Sequence, residues 1–223
     1  SLFFNQGESC NAPSRVLVHE RIADRFVELV AAEAPQYRPA DPLANSTVMG
    51  ALVDEGQLRT VMGYIEAGGR EGARTVTGGQ RALASSGGFY VEPTVFDNVA
   101  NDMTIAREEI FGPVMSVIRF KTEGDAIGLA NASPYGLQAS VWSTNVNRAH
   151  RVARALRAGE KEAKALCEGI AGRLAHADDE ALGHAVRVEL VTERVDAIDY
   201  LAGRAEAELV RVHARCAVPG APR

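Results

Sequence analysis

The chain is poor in cysteine, poorer in lysine, and lacks any long apolar run. Its three cysteines, Cys10, Cys167 and Cys216, are odd in number and unevenly spaced. That excludes a disulfide framework or a Cys-x-x-Cys site, and a reducing, cytoplasmic compartment is the expectation. No apolar stretch reaches the ~20 residues that span a bilayer, and no basic-then-apolar leader opens the chain, so no membrane partner is expected. Of its 24 basic residues only Lys121, Lys161 and Lys164 are lysine, and the net charge is −5. With a pI of about 5.6, no basic stripe neutralises phosphates, and nucleic acid is not an expected partner.

What is present is ordinary for a globular protein: 223 residues, 46% hydrophobic and 24% charged, with a mean hydropathy of −0.09. Such a chain buries a sizeable core, as one large domain or a domain with an appendage. A first residue of Ser1 rather than methionine suggests a fragment or a processed chain.

Patterning divides the chain in two. Residues 14–19 (SRVLVH) read as a strand, and Ile22, Phe26, Leu29 and Val30 recur at helical spacing up to Pro35. Three prolines in 35–48 mark a loop, and DEGQLRTVMGYIEAG forms a second amphipathic helix stopped by Gly68-Gly69. Segments 74–79, 88–96, 113–120 and 137–143 read as strands, with helices over 122–133 and 146–159. This alternation predicts an α/β domain with a mainly parallel sheet over residues 1–159. From 160 the composition changes. Residues 161–223 hold 14 alanines, one tyrosine, and no phenylalanine or tryptophan. Val188, Val191, Val195, Ile198, Ala202, Ala205, Leu209 and Val212 follow a 3-4 spacing that predicts one long helix. The expectation for 160–223 is therefore an α-helical tail.

Two stretches carry potential chemistry. In FFNQGESCNAPSR, Cys10 sits in a turn-rich segment beside the Asn11 amide. A thiol there is either a small core residue, as most lone cysteines are, or a nucleophile whose developing oxyanion nearby N–H groups would hold. In AREEIFGPV, Glu108 and Glu109 are either a solvated pair or, with Phe111, a carboxylate and ring suited to a ribose hydroxyl and a flat heterocycle.

FFNQGESC, a small-residue turn with Arg15, EPTVF, EEIFGPV and the PYGL of 134–137, in this order and spacing, resemble the aldehyde dehydrogenase superfamily. The bacterial enzymes acting on aminoaldehydes or their γ-glutamyl derivatives are the nearest resemblance, over residues 1 to about 159. The resemblance implies an NAD(P)-dependent oxidation of an aldehyde to a carboxylic acid, with Cys10 as nucleophile through a thiohemiacetal and a thioester. It implies Glu109 on the nicotinamide ribose, Phe111 beside the nicotinamide, NAD or NADP as cofactor and a homo-oligomer. Thr60 stands where the family often has a lysine for the adenosine ribose.

The family's Gly-rich cofactor domain, general-base glutamate and oxyanion-hole asparagine lie in segments before the nucleophile, and this chain begins nine residues ahead of Cys10. The glycines of AGGREGA (67–73) are expected to end a helix, not to cradle a pyrophosphate. The family continues after its RAG segment with a strand and a PFGG-type loop, whereas here RAGEKEAKALCEG follows. A fusion, a frameshift and a diverged tail all remain open as its origin. In the tail, only His213-x-x-Cys216 has a ligand-like spacing among Cys167, His176, His184, His213 and Cys216, so no metal is expected. The expectation is a dehydrogenase fragment inactive by itself. Two alternatives stand beside it: a non-enzymatic remnant or interaction module using the tail, and a thiol esterase acylated at Cys10 without cofactor.

Overall fold

The structure is a computed structural model, and it describes residues 2–143 and 145–158 and the backbone of a strand at 208–213. In chain order the elements are β1 (Arg15–His19), α1 (Glu20–Glu33), α2 (Glu55–Arg70), β2 (Arg74–Thr77), β3 (Arg81–Ala82), β4 (Tyr90–Val91), β5 (Thr94–Asp97), α3 (Thr104–Arg107), β6 (Val114–Phe120), α4 (Glu123–Asn131), β7 (Gln138–Ser143), α5 (Val146–Ala155) and β8 (Glu208–His213). Six strands form one sheet in the order β2-β5-β6-β1-β8-β7, and β3-β4 make a separate two-stranded ladder. β5, β6 and β1 pair in parallel, and β7, antiparallel to β8 as β8 is to β1, shares their direction. Only β2 and β8 oppose it, so the mainly parallel α/β architecture is present.

β1 is buried on both faces, which is why it reads as a continuous apolar run rather than an alternation. Val16 and Val18 pack with Val95, Val117 and the α1 residues Ile22, Phe26 and Val27. Leu17 points the other way, into a core with Phe96, Ile118 and the α2 residues Leu58, Val61 and Ile65. Helix starts follow their capping residues: Asp54 Oδ1 accepts from Gln57 N, and Thr122 forms a capping box with Asp125. Arg15 is buried, and its guanidinium donates to Asn101 Oδ1 and to the carbonyls of Leu129 and Ala130. Those carbonyls belong to the last turn of α4, where orphan acceptors and the helix dipole favour a cation. Burial lowers Arg15 to about 10.

Several boundaries differ from the sequence expectation. The run 88–96 is split by Glu92-Pro93, since proline cannot donate to a ladder. α2 continues through Gly68 and Gly69 to Arg70. A side chain at Gly68 would meet Ile105 Cδ1 at 2.9 Å, so this glycine permits close helix packing rather than a stop. The long helix expected over 188–212 lies outside the described residues except at its end. There Glu208–His213 form a strand paired to β1 and β7. The reason is physical: Leu209, Val210 and Val212 are strand formers, and the gap between β1 and β7 offers two rows of unpaired N–H and C=O groups. The division at 159/160 falls on residues not described.

At one end of the sheet Asp97 is fully buried, its oxygens 2.7 Å from both Arg74 and Arg119, while Arg119 also reaches Asp24 at 2.8 Å. Burial opposes the charged carboxylate, but the bonds from Arg119 and Arg74 outweigh it and hold Asp97 below the usual range. A depressed carboxyl contributes stability above its unfolded value of about 3.9 and loses it as pH falls through the folded value. Asp97→Asn should therefore lower stability by about 3 kcal/mol at pH 7, and denaturant titrations should show the gap to the unsubstituted chain narrowing below about pH 4.

Candidate active site

The amino-terminal segment is anchored by buried Leu2 and Phe3 and then turns sharply. Asn5 (φ 49°), Gln6 (φ 58°) and Gly7 (φ 76°) are three consecutive left-handed residues. Such a conformation costs an ordinary L-residue about 1–2 kcal/mol, so something must hold it. Asn5 Nδ2 donates to Glu8 O at 2.9 Å, Gln6 Oε1 accepts from Gly50 N at 3.1 Å, and Glu8 Oε1 accepts from Val53 N at 3.1 Å. Burial pushes the Glu8 carboxyl up, against the lowering effect of its bond from Val53. Ala12 N then donates to Ser9 O at 2.9 Å, closing a four-residue turn with Cys10 and Asn11 at its corner. Ser9 Oγ donates to Asn11 Oδ1 at 2.6 Å. Cys10 is exposed and unpaired with any other thiol.

The loop 108–113 gives its two glutamates different settings. Tyr64 Oη on α2 donates to Glu108 at 2.8 Å; burial and this bond push the phenol up to about 12. Glu108 also borders an open cleft with Asn101, Arg107, Pro134 and Tyr135, which brings EEIFGPV and PYGL together. Glu109 is half-buried. Ile110 is buried, and Phe111 follows with φ 54° and its ring 39% exposed. Gln57 Nε2 donates to Ile110 O at 3.0 Å and to Phe111 O at 2.7 Å.

The two loops meet backbone to backbone. A Cβ built on Gly7 would lie 2.1 Å from Gly112 O and 2.9 Å from Pro113 N; one on Gly112 would lie 2.5 Å from Val61 Cγ2. Positions 7 and 112 and helix α2 are thus in direct contact, and the turn carrying Cys10 is fixed against the loop carrying Glu109 and Phe111. Thr60 is exposed on α2 with its hydroxyl donating to Gly56 O at 3.0 Å. Gly68 and Gly69 are helical, and Gly72 (φ 95°) makes the turn towards β2. Among the described residues, the strand-to-helix junctions after β1 and β6 are closed by His19 and by the Thr122–Asp125 box, neither offering a glycine turn to a pyrophosphate. No group of three or more His, Cys, Asp or Glu suited to a metal ion occurs among the described residues. No described helix is long and apolar enough to cross a membrane.

Sequence reasoning passed over Gln6, Glu8, Gln57 and Tyr64. Gln57 had one local signal, its place three residues after the N-cap Asp54. The acceptors that give it a role lie over fifty residues away, and nothing in the helix pattern points to them.

Gly7→Ala combines a clash with backbone carbonyl atoms and a positive φ. It should cost at least about 2 kcal/mol, measured as a lower urea midpoint at unchanged m-value.

The family model "Aldehyde dehydrogenase family" matches residues 1–168. Aldehyde dehydrogenase B of Escherichia coli (strain K12) is 46% identical over 159 residues, 70% of this chain and 31% of that protein. The mitochondrial aldehyde dehydrogenase of Homo sapiens is 45% identical over 159 residues, 71% of this chain and 30% of that protein. Among solved structures, an indole-3-acetaldehyde dehydrogenase complexed with NAD+ is 54% identical with a TM-score of 0.70, covering 71% of this chain and 32% of that one. A γ-glutamyl-γ-aminobutyraldehyde dehydrogenase from Burkholderia cenocepacia J2315 is 56% identical with a TM-score of 0.69, covering 71% and 32%. The chain spans about a third of the length of these relatives. It belongs to the aldehyde dehydrogenase family.

Proposed function

We propose that residues 1–159 are the nucleophile-bearing part of an NAD(P)-dependent aldehyde dehydrogenase. Cys10 is the nucleophile, and Glu109 and Phe111 meet the nicotinamide end of the cofactor. The observation that carries the reading is the pairing of an exposed thiol at a turn corner with a strained, solvent-facing aromatic ring, their loops locked through Gly7 and Gly112. A half-buried carboxylate next to a half-exposed ring fits a ribose hydroxyl and a flat heterocycle. The described residues fit that half of a dinucleotide only, and the family's Gly-rich domain is where the other half is expected to be held.

In this reading the Cys10 thiolate adds to the aldehyde carbon, and the carbonyl oxygen becomes an alkoxide that backbone N–H groups of the turn stabilise. The bound cofactor supplies a hydride acceptor. Once the carbon has lost its hydride and the alkoxide has reformed a carbonyl, Cys10 carries a thioester. Water adds to that carbonyl, the C–S bond breaks, and the carboxylic acid leaves a free thiol. The Ser9–Asn11 hydrogen bond fixes the orientation of the Asn11 amide beside the reacting sulfur.

The nucleophile can be tested without cofactor. Incubating the full chain with p-nitrophenyl acetate should transfer one acetyl group to Cys10 with release of p-nitrophenolate, located by peptide mass spectrometry. Cys10→Ser should lower the rate of release by more than tenfold. Acetylation spread over other side chains, or release unaffected by the substitution, would overturn the assignment.

A further inference from the structure

We propose that Gln57 is the positioning residue of the aromatic loop, holding Phe111 in its left-handed conformation through both adjoining peptide units. The Ile110 carbonyl belongs to the peptide unit that precedes the Phe111 Cα, and the Phe111 carbonyl to the unit that follows. Fixing both planes fixes both φ and ψ of Phe111. Gln57 Nε2 donates its two protons to these two carbonyls, at 3.0 and 2.7 Å. In a left-handed residue the successive carbonyls converge, so one amide nitrogen can serve both; in an extended residue they diverge and it cannot.

The surroundings leave this task to Gln57. Ile110, Gly112 and Pro113 are buried and set the ends of the loop, but Phe111 is 39% exposed, so packing alone covers it incompletely. A bulky residue at positive φ stays there only where its surroundings compel it. Gln57 is itself held, because Asp54 Oδ1 accepts from its backbone N–H at 2.7 Å, and the residue before Asp54, Val53, donates to Glu8. Hydrogen bonds linked through the chain at Val53–Asp54 and at Gln57 thus join the segment carrying Cys10, by way of the start of α2, to the peptide units on either side of the Phe111 Cα. Gln57 acts through the loop. The geometry stands by itself; its functional consequence rests on the reading of Phe111 as the ring beside the nicotinamide.

The test uses the full 223-residue chain labelled with 13C at phenylalanine. Gln57→Met keeps side-chain length without donors, and Gln57→Lys restores N–H donors with similar reach. In Gln57→Met the Phe111 Cα and ring signals should move and broaden while the other phenylalanines, including buried Phe26 and Phe96, keep theirs. In Gln57→Lys they should return towards the unsubstituted positions, a rescue that general destabilisation would not give. Phe111 signals in Gln57→Met that superimpose on the unsubstituted chain would overturn the proposal. So would signals moved equally in both variants. Titration with nicotinamide mononucleotide adds a separate arm, in which Gln57→Met should weaken binding about tenfold. No response of Phe111 to the nucleotide in the unsubstituted chain would refute the cofactor reading of the ring, while the loop assignment would still be decided by the first measurement.

Discussion

A contact between two glycines far apart in sequence organises this protein. A side chain at Gly7 would overlap the Gly112 backbone, and one at Gly112 would overlap Val61 of α2. Close packing of backbone on backbone leaves no freedom for adjustment, because peptide atoms cannot change rotamer as a side chain can. The turn carrying the thiol and the loop carrying a carboxylate and a ring therefore take one relative placement, set by the helix beneath them.

Polar bonds around that contact explain how a strained geometry persists. Four residues at positive φ, Asn5, Gln6, Gly7 and Phe111, surround it, and three of them are not glycine. Each is adjoined by a hydrogen bond reaching to another part of the chain or closing a local turn: Asn5 to Glu8, Gln6 to Gly50, and Gln57 to the two carbonyls at Phe111. Strain of this kind concentrates where a side chain must be presented rather than buried. The exposed sulfur and the exposed ring are what is presented here. The segment 50–57 is the common support of both loops, contributing the Gly50 and Val53 amides to one and Gln57 to the other.

Much of the fold was legible because its signals are local. β1 has an apolar Val-Leu-Val centre, α1 and α2 carry apolar stripes, and Asp54, Thr122 and Asn145 cap their helices as such residues do. Two of the misread boundaries share a cause, which is that a tertiary partner overrode a local preference. Gly68 and Gly69 look like a helix stop, yet α2 passes through both, and Ile105 and Phe96 occupy the space a side chain at Gly68 would fill. Leu209 and Val212 fit a helical seam equally well. They form part of a strand because the sheet offers unpaired backbone on both sides of that position.

The sequence alone determined the α/β alternation over the first two-thirds of the chain, the family, and the two motif stretches that hold Cys10 and Glu109-Ile110-Phe111. Those follow from propensity, periodicity and motif spacing, each of which is read within a few dozen residues. Only the tertiary structure decided that Cys10 is exposed at a turn corner, that Glu108 accepts from Tyr64, and that Gln57 spans to the Phe111 peptides. Such contacts join residues some fifty to a hundred positions apart. They arise only when the sheet and α2 have brought those segments within hydrogen-bonding distance, and no local pattern encodes that distance.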